Sequence, residues 1–91
     1  MRGMEQKTLR LENSVGLHAR PAALLTQAAK KFSSAIELRR GSKKANAKSI
    51  TSIMQLAAKC GDEIEIAIEG SDESEAMLHI EQLMASKFGE A

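Results

Sequence analysis

The chain has 91 residues, 43% of them hydrophobic and 27% charged, with a formal net charge of +1. That length suits one small domain, residues 1–91, and the balanced charge excludes the strong basic excess that non-specific nucleic-acid binding requires. Two Phe and no Tyr or Trp leave a core to be built from Leu, Ile, Ala and Met, and the single cysteine, Cys60, excludes an intramolecular disulfide and fits a reducing, cytoplasmic setting.

Met1 to Lys7 is polar and lacks the apolar run of a signal peptide. Residues 1–6 read as an extension ahead of the first element. No stretch approaches the roughly 20 apolar residues that span a bilayer, so membrane insertion is not expected. Thr8 to Glu12 alternates polar and apolar residues as a half-buried strand does, and Asn13, Ser14 and Gly16 follow with turn chemistry. From Ala19 to Phe32 the pattern turns helical, with Leu24, Leu25, Ala28, Ala29 and Phe32 at spacings of three and four. Lys30 and Lys31 fall in its last turn, where cations complement the helix dipole. Ala35 to Arg40 predicts a second strand, Gly41-Ser42 a hairpin turn, and Lys43 to Ala47 a third strand.

Ser49 is a favoured helix N-cap, and Ile50, Ile53, Met54 and Ala57 follow at helical spacing to a stop at Gly61. Glu63 to Glu69 is the clearest strand, with Ile64, Ile66 and Ile68 facing in and Glu63, Glu65, Ala67 and Glu69 facing out. Gly70-Ser71-Asp72 makes a turn and a cap. Ser74 to Lys87 predicts a last helix with an apolar stripe of Met77, Ile80, Leu83, Met84 and Phe88. The order βαββαβα implies an α+β fold, a four-stranded antiparallel sheet covered on one face by three helices.

The chemistry concentrates at Gly16-Leu17-His18-Ala19-Arg20-Pro21-Ala22. Pro21 fits a first helical turn, where its missing N–H costs nothing, so the helix starts at about His18 or Ala19. Free amides and the positive dipole end of that turn favour an anion. Arg20 adds a charged fork suited to phosphate oxygens. Unperturbed imidazole is largely neutral near neutral pH, which leaves a ring nitrogen available as a nucleophile. Phosphoryl transfer depends mainly on positioning and charge stabilisation, and these residues supply both. On the residues alone, the competing reading is a histidine that only caps or decorates a helix.

Gly16 to Ala22 resembles the active-site motif of the histidine-containing phosphocarrier proteins, the HPr family of the phosphoenolpyruvate-dependent phosphotransferase system. Asn46-Ala47-Lys48-Ser49-Ile50 resembles that family's segment around its regulatory serine. The separation of the two motifs, the Gly61-Asp62-Glu63-Ile64 run and the Glu69-Gly70 turn fit as well, from about Lys7 to Gly89. The resemblance implies an open-faced β-sandwich and a covalent phosphoryl carrier, a substrate of phosphotransferases rather than an enzyme. It implies that His18 takes a phosphoryl group on its δ1 nitrogen from enzyme I and passes it to enzyme IIA components for sugar uptake. It further implies that Arg20 assists at the phosphate, and that a dedicated HPr kinase/phosphorylase could modify Ser49. Ile50, Thr51 and Met54 would form a docking surface for these partners, each meeting a monomeric carrier.

Two residues depart from the family's usual pattern. Thr51 stands where a larger apolar residue is common, and Val15 where sugar-uptake members often carry a small polar one. Val15, with Leu56-Ala57-Ala58, looks more like the nitrogen-regulatory branch. A non-catalytic binding module acting through Ser49 is the remaining alternative, which the presence of His18 disfavours. Arg39, Arg40, Lys43 and Lys44 read as a solvated hairpin tip without the stacking aromatics of an RNA-binding sheet. His79 and Cys60 lack ligand spacing, so neither a metal nor a cofactor is expected; His79 reads as a boundary residue of the last helix and Cys60 as a small apolar helix end.

Overall fold

The structure, a computed structural model, describes residues 4–90. Its elements run β1 (Glu5–Arg10), α1 (Ala19–Ala29), β2 (Ala35–Arg40), β3 (Lys43–Asn46), α2 (Ile50–Met54), β4 (Glu63–Glu69) and α3 (Glu73–Ala85), with a closing 3-10 turn at Lys87–Gly89. The four strands form one antiparallel sheet in the order β1-β4-β2-β3, and the three helices cover one face of it. The expected α+β architecture is the observed one.

Register follows from the period-2 pattern of β4. Ile68 pairs with Ile36, Ile66 with Leu38, and Ile64 with Leu9, so the aliphatic row of the central strand meets aliphatic rows on both sides. A shift of one residue would turn that row to solvent. The same face receives Leu25, Ala28 and Ala29 of α1, Ile53 of α2, and Met77, Ile80 and Met84 of α3. Ala67 points to the open face, opposite Glu37 and Gln6, yet it is buried: a methyl group on a central strand is covered by its longer neighbours.

Several boundaries differ from the sequence reading for identifiable reasons. β1 begins at Glu5 and ends at Arg10, because pairing with Ile68 to Glu63 extends it where periodicity is weak. Glu5 and Gln6, read as part of an extension, are therefore strand residues; residues 1–3 lie outside the described residues. β3 stops at Asn46, and Ala47 instead donates its amide to the Ile36 carbonyl at 3.0 Å. α1 stops at Ala29, so Lys30 is its C-cap and Lys31 lies beyond it. α2 ends at Met54, and Gly61 belongs to a separate turn rather than to its C-cap. Ala57, at φ 54°, takes the chain out of helical geometry. Cys60, expected as a small apolar helix end, is exposed in that turn.

The α3 stripe continues only through Met84. Phe88 is buried, but it reaches the core from a turn in which both Lys87 and Phe88 have positive φ. Asp72 precedes α3 without capping it by its side chain. Its carboxylate instead accepts from the Ser33 amide at 2.9 Å and the Ser34 amide at 3.0 Å, and from the Ser34 hydroxyl. The hydroxyl of Ser34, with these two amides, holds the Asp72 carboxyl down at about 2. His79 stacks edge-on against Phe32, with ring centroids 5.6 Å apart.

Candidate functional site

The loop between β1 and α1 is shaped before His18 is reached. Asn13, 1% exposed, donates from Nδ2 to the Gly16 carbonyl at 2.7 Å, and the Gly16 amide returns to the Asn13 carbonyl at 3.2 Å. Gly16 sits at φ +67°, and a Cβ there would lie 2.4 Å from the Ala58 carbonyl oxygen and 2.8 Å from the Lys59 Cα. Both the left-handed backbone and the close approach require glycine. One residue on, the Leu17 amide donates to the Ala58 carbonyl at 3.1 Å, and the Leu17 side chain is buried.

His18 is thereby left as the N-cap of α1, in extended conformation with φ −75° and ψ −174°. Its carbonyl accepts the Ala22 amide at 2.9 Å, while its exposed imidazole makes no capping hydrogen bond. Pro21 has no N–H and is buried in the first turn. The amides of Ala19 and Arg20 belong to the part of a helix that has no intrahelical partner. The Arg20 side chain is exposed and runs beside the chain terminus: a Cβ on Gly89 would lie 3.7 Å from its Nη2. The ring of His18, the amide end of an 11-residue helix and a guanidinium thus belong to one short segment, an arrangement suited to an oxyanion.

His18 also lines a cleft of about 310 Å³ with Val15, Leu17, Met54, Ala57, Ala58 and Lys59. The segment after α2 forms its far wall and is zipped to the segment after β1. The Leu11 amide donates to the Asp62 carbonyl at 2.9 Å and the Gly61 amide to the Leu11 carbonyl at 2.8 Å. The Asp62 carboxylate accepts the Lys59 amide at 2.9 Å and Arg40 Nε at 3.0 Å, and these donors keep its carboxyl below the usual carboxylate range. Arg40 Nη1 also donates to the Leu56 carbonyl at 3.0 Å. Arg39 pairs with Glu37 and, at 3.1 Å, with Glu65. Two of the four cations read as a solvated hairpin tip are therefore committed, one of them to the wall of the cleft.

Ser49 is the N-cap of α2, as its sequence position predicts. Its Oγ accepts the Ser52 amide at 3.2 Å, and its carbonyl accepts the Ile53 amide at 3.1 Å. On this short helix Ile53 is buried, whereas Ile50 and Met54 are each 42% exposed and Thr51 is exposed. Met54 shares the cleft with His18, and Val15, 47% exposed, adds an apolar side chain from the loop before α1. Ile50 lies one helical turn before Met54. The structure thus brings Met54 and Val15 to His18.

The sequence reading missed Asn13, Gly16's contact with Ala58, and the wall residues Ala57 to Lys59 as parts of the site. Asn13 reads as an ordinary turn residue until its side chain is seen buried. No pattern in Ala57-Ala58-Lys59 signals that it faces a loop 40 residues earlier.

The family model described as the PTS HPr component phosphorylation site, of the phosphotransferase system, matches residues 5–86. The chain is similar to the phosphocarrier protein HPr of Treponema pallidum, 51% identical over 87 residues, which is 96% of this chain and 99% of that protein. It is similar to the phosphocarrier protein HPr of Cupriavidus necator at 41% identity over 87 residues, covering 96% and 98% of the two chains. Among solved structures, HPr-C-His from Thermoanaerobacter tengcongensis shares the fold with a TM-score of 0.92 at 47% identity, covering 96% of this chain and 98% of that one. The chain belongs to the HPr family, the phosphocarrier proteins of the phosphotransferase system, which carry a phosphoryl group without being catalysts themselves.

Proposed function

We propose that His18 is the residue that bears the phosphoryl group, received from phospho-enzyme I and delivered to enzyme IIA domains for sugar uptake. One observation carries this: the His18 imidazole is exposed and, among the described residues, makes no hydrogen bond at the amide end of α1, where the Leu17 amide and the His18 carbonyl fix its backbone. In the transfer, a ring nitrogen forms the new N–P bond as the bond from phosphorus to the donor breaks, and the electron pair leaves with the donor. The phosphoryl oxygens face the Ala19 and Arg20 amides and the Arg20 guanidinium, which offset their charge. Ile50, Thr51 and Met54, with Val15, form the docking surface, since exposed apolar side chains beside a reactive group suit a transient partner.

Ser49 is a regulatory position in this reading: a phosphate on its hydroxyl is compatible with a helix N-terminus and sets negative charge beside the docking surface. The carrier works as a monomer in the cytoplasm, and no described helix is long and apolar enough to cross a membrane. A second reading, service in a nitrogen-regulatory branch, is favoured by Val15, whose exposed side chain lines the cleft at His18.

The test is incubation with enzyme I and phosphoenolpyruvate, followed by analysis of the label. An acid-labile, base-stable phosphate absent from His18→Ala is expected. No label, or label that survives the substitution, would overturn the assignment.

A further inference from the structure

We propose that Lys59 is a second phosphate-facing cation of the carrier, acting across the cleft from the end of α1; this rests on the reading of His18 as the acceptor. Two independent contacts place Lys59 at the acceptor loop. Its Cα lies against Gly16, close enough that a methyl group on the glycine would come within 2.8 Å. Lys59 also lines the cleft that His18 lines.

The backbone of Lys59 is held firmly. Its amide donates to Asp62 Oδ2 at 2.9 Å, and its own carbonyl accepts the Asp62 amide at 2.9 Å. The preceding carbonyl, of Ala58, receives the Leu17 amide. Ahead of these, Ala57 adopts φ 54°, a left-handed conformation that a non-glycine residue holds only where its surroundings enforce it. Arg40 secures the same segment through the Leu56 carbonyl and Asp62.

The ammonium group, in contrast, forms no close ion pair among the described residues, although its charge helps to hold the Asp62 carboxyl down. Lys7, Arg39 and Arg40 each have such a pair. Lys59 is exposed and lines the cleft. A cation on a fixed backbone, lining the same cleft as a nucleophilic ring, is placed to meet the charge that a phosphoryl group brings. It needs little reorganisation to do so. Arg20 supplies a planar fork from the acceptor segment itself, whereas Lys59 supplies a compact point charge from the opposite wall. Lys59 forms and breaks no bond; it adds only charge to the transfer described above.

Across a water-filled cleft, one unit charge several ångströms from an anion changes an equilibrium or a rate by about threefold to tenfold. The experiment compares the wild-type protein, Lys59→Met and Lys59→Arg in two assays at low ionic strength. One is an NMR titration of the unphosphorylated protein with inorganic phosphate, followed at the Ala19 and His18 signals. The other is single-turnover transfer from phosphorylated enzyme I at saturating donor.

Lys59→Met is expected to weaken phosphate binding and to slow the saturated transfer step, each by about threefold to tenfold, and Lys59→Arg to restore most of both. Wild-type binding in Lys59→Met would overturn the proposal, as would phosphate binding too weak to detect in the wild-type protein. A loss confined to the concentration of donor needed, with the saturated rate unchanged, would also overturn it by making Lys59 a contact for the partner's surface. Failure of His18 to take up label in the wild-type protein would instead overturn the acceptor reading, and would be seen apart from either Lys59 result.

Discussion

The Leu17 amide and the Ala58 carbonyl, 3.1 Å apart, join the loop before α1 to the segment that follows α2. The bond falls one residue before His18 and one before Lys59, so both walls of the cleft are set by the same contact. Gly16 sits at this junction, with no room for a side chain. Gly16→Ala must therefore pay for a left-handed alanine and for pushing against the Ala58 carbonyl. A loss of about 2–4 kcal/mol in unfolding free energy is expected, together with slower phosphoryl transfer in the fraction that stays folded. Urea denaturation and the enzyme I assay check the two effects separately.

Arg20 is exposed and makes no ion pair among the described residues, so its removal should leave the fold in place. Arg20→Ala is expected to change stability by no more than about 0.5 kcal/mol. Transfer to His18 should fall by about ten- to a hundredfold, the range of a charge-assisted hydrogen bond worth roughly 1.5–3 kcal/mol. An unchanged transfer rate would remove Arg20 from the site.

Asp72 gives the protein an acid-sensitive joint between the loop after α1 and the start of α3. Its folded carboxyl is held down at about 2 by the Ser34 hydroxyl and the Ser33 and Ser34 amides, below the ordinary aspartate value of 3.8. The stability it contributes is thus fully present above about pH 4 and is lost as the pH falls through about 2. In Asp72→Asn the stability deficit should be largest near neutral pH and shrink steadily between pH 4 and 2. Denaturation curves across that range measure it; a deficit independent of pH would assign the effect to packing instead.

Much of this arrangement could be read from the chain because it is local. Ile64, Ile66 and Ile68 announce β4 by their period, and Ser49 announces α2 by its capping chemistry. The Gly16 to Ala22 segment carries its own turn, cap and helix start. What could not be read depends on partners distant in sequence. Asp72 has cap chemistry, but its hydrogen bonds go to Ser33 and Ser34. The helical spacing of Ile50, Ile53, Met54 and Ala57 predicts a longer α2, whereas packing of residues 56–62 against residues 11–17 ends it at Met54. Phe88 keeps helical spacing, yet it reaches the core through two left-handed residues.

Met54 allows the proposed docking surface to be tested apart from folding. It is 42% exposed on the helix face that shares the cleft with His18, while Ile53 beside it is fully buried. Met54→Gln should leave stability within about 0.5 kcal/mol of wild type. The concentration of phospho-enzyme I needed for half-maximal transfer should rise by about fivefold, as for a contact worth roughly 1 kcal/mol. The rate at saturation should stay unchanged, since Met54 offers nothing to the phosphoryl group.

Ser49 allows its capping role and its proposed charge effect to be measured apart. Its hydroxyl accepts the Ser52 amide, and aspartate caps a helix about as well as serine does. Ser49→Asp should therefore keep the fold, with the negative charge favourable at the N-terminus of α2 by about 0.3–1 kcal/mol. Ser49→Ala removes the cap and should cost about 0.5–2 kcal/mol without adding charge. If a phosphate at this position acts by repelling acidic partners, Ser49→Asp should slow transfer from phospho-enzyme I while Ser49→Ala transfers at the wild-type rate. Added salt should relieve the aspartate's effect, because repulsion between exposed charges is screened. Equal transfer by both variants would leave Ser49 as a structural cap alone.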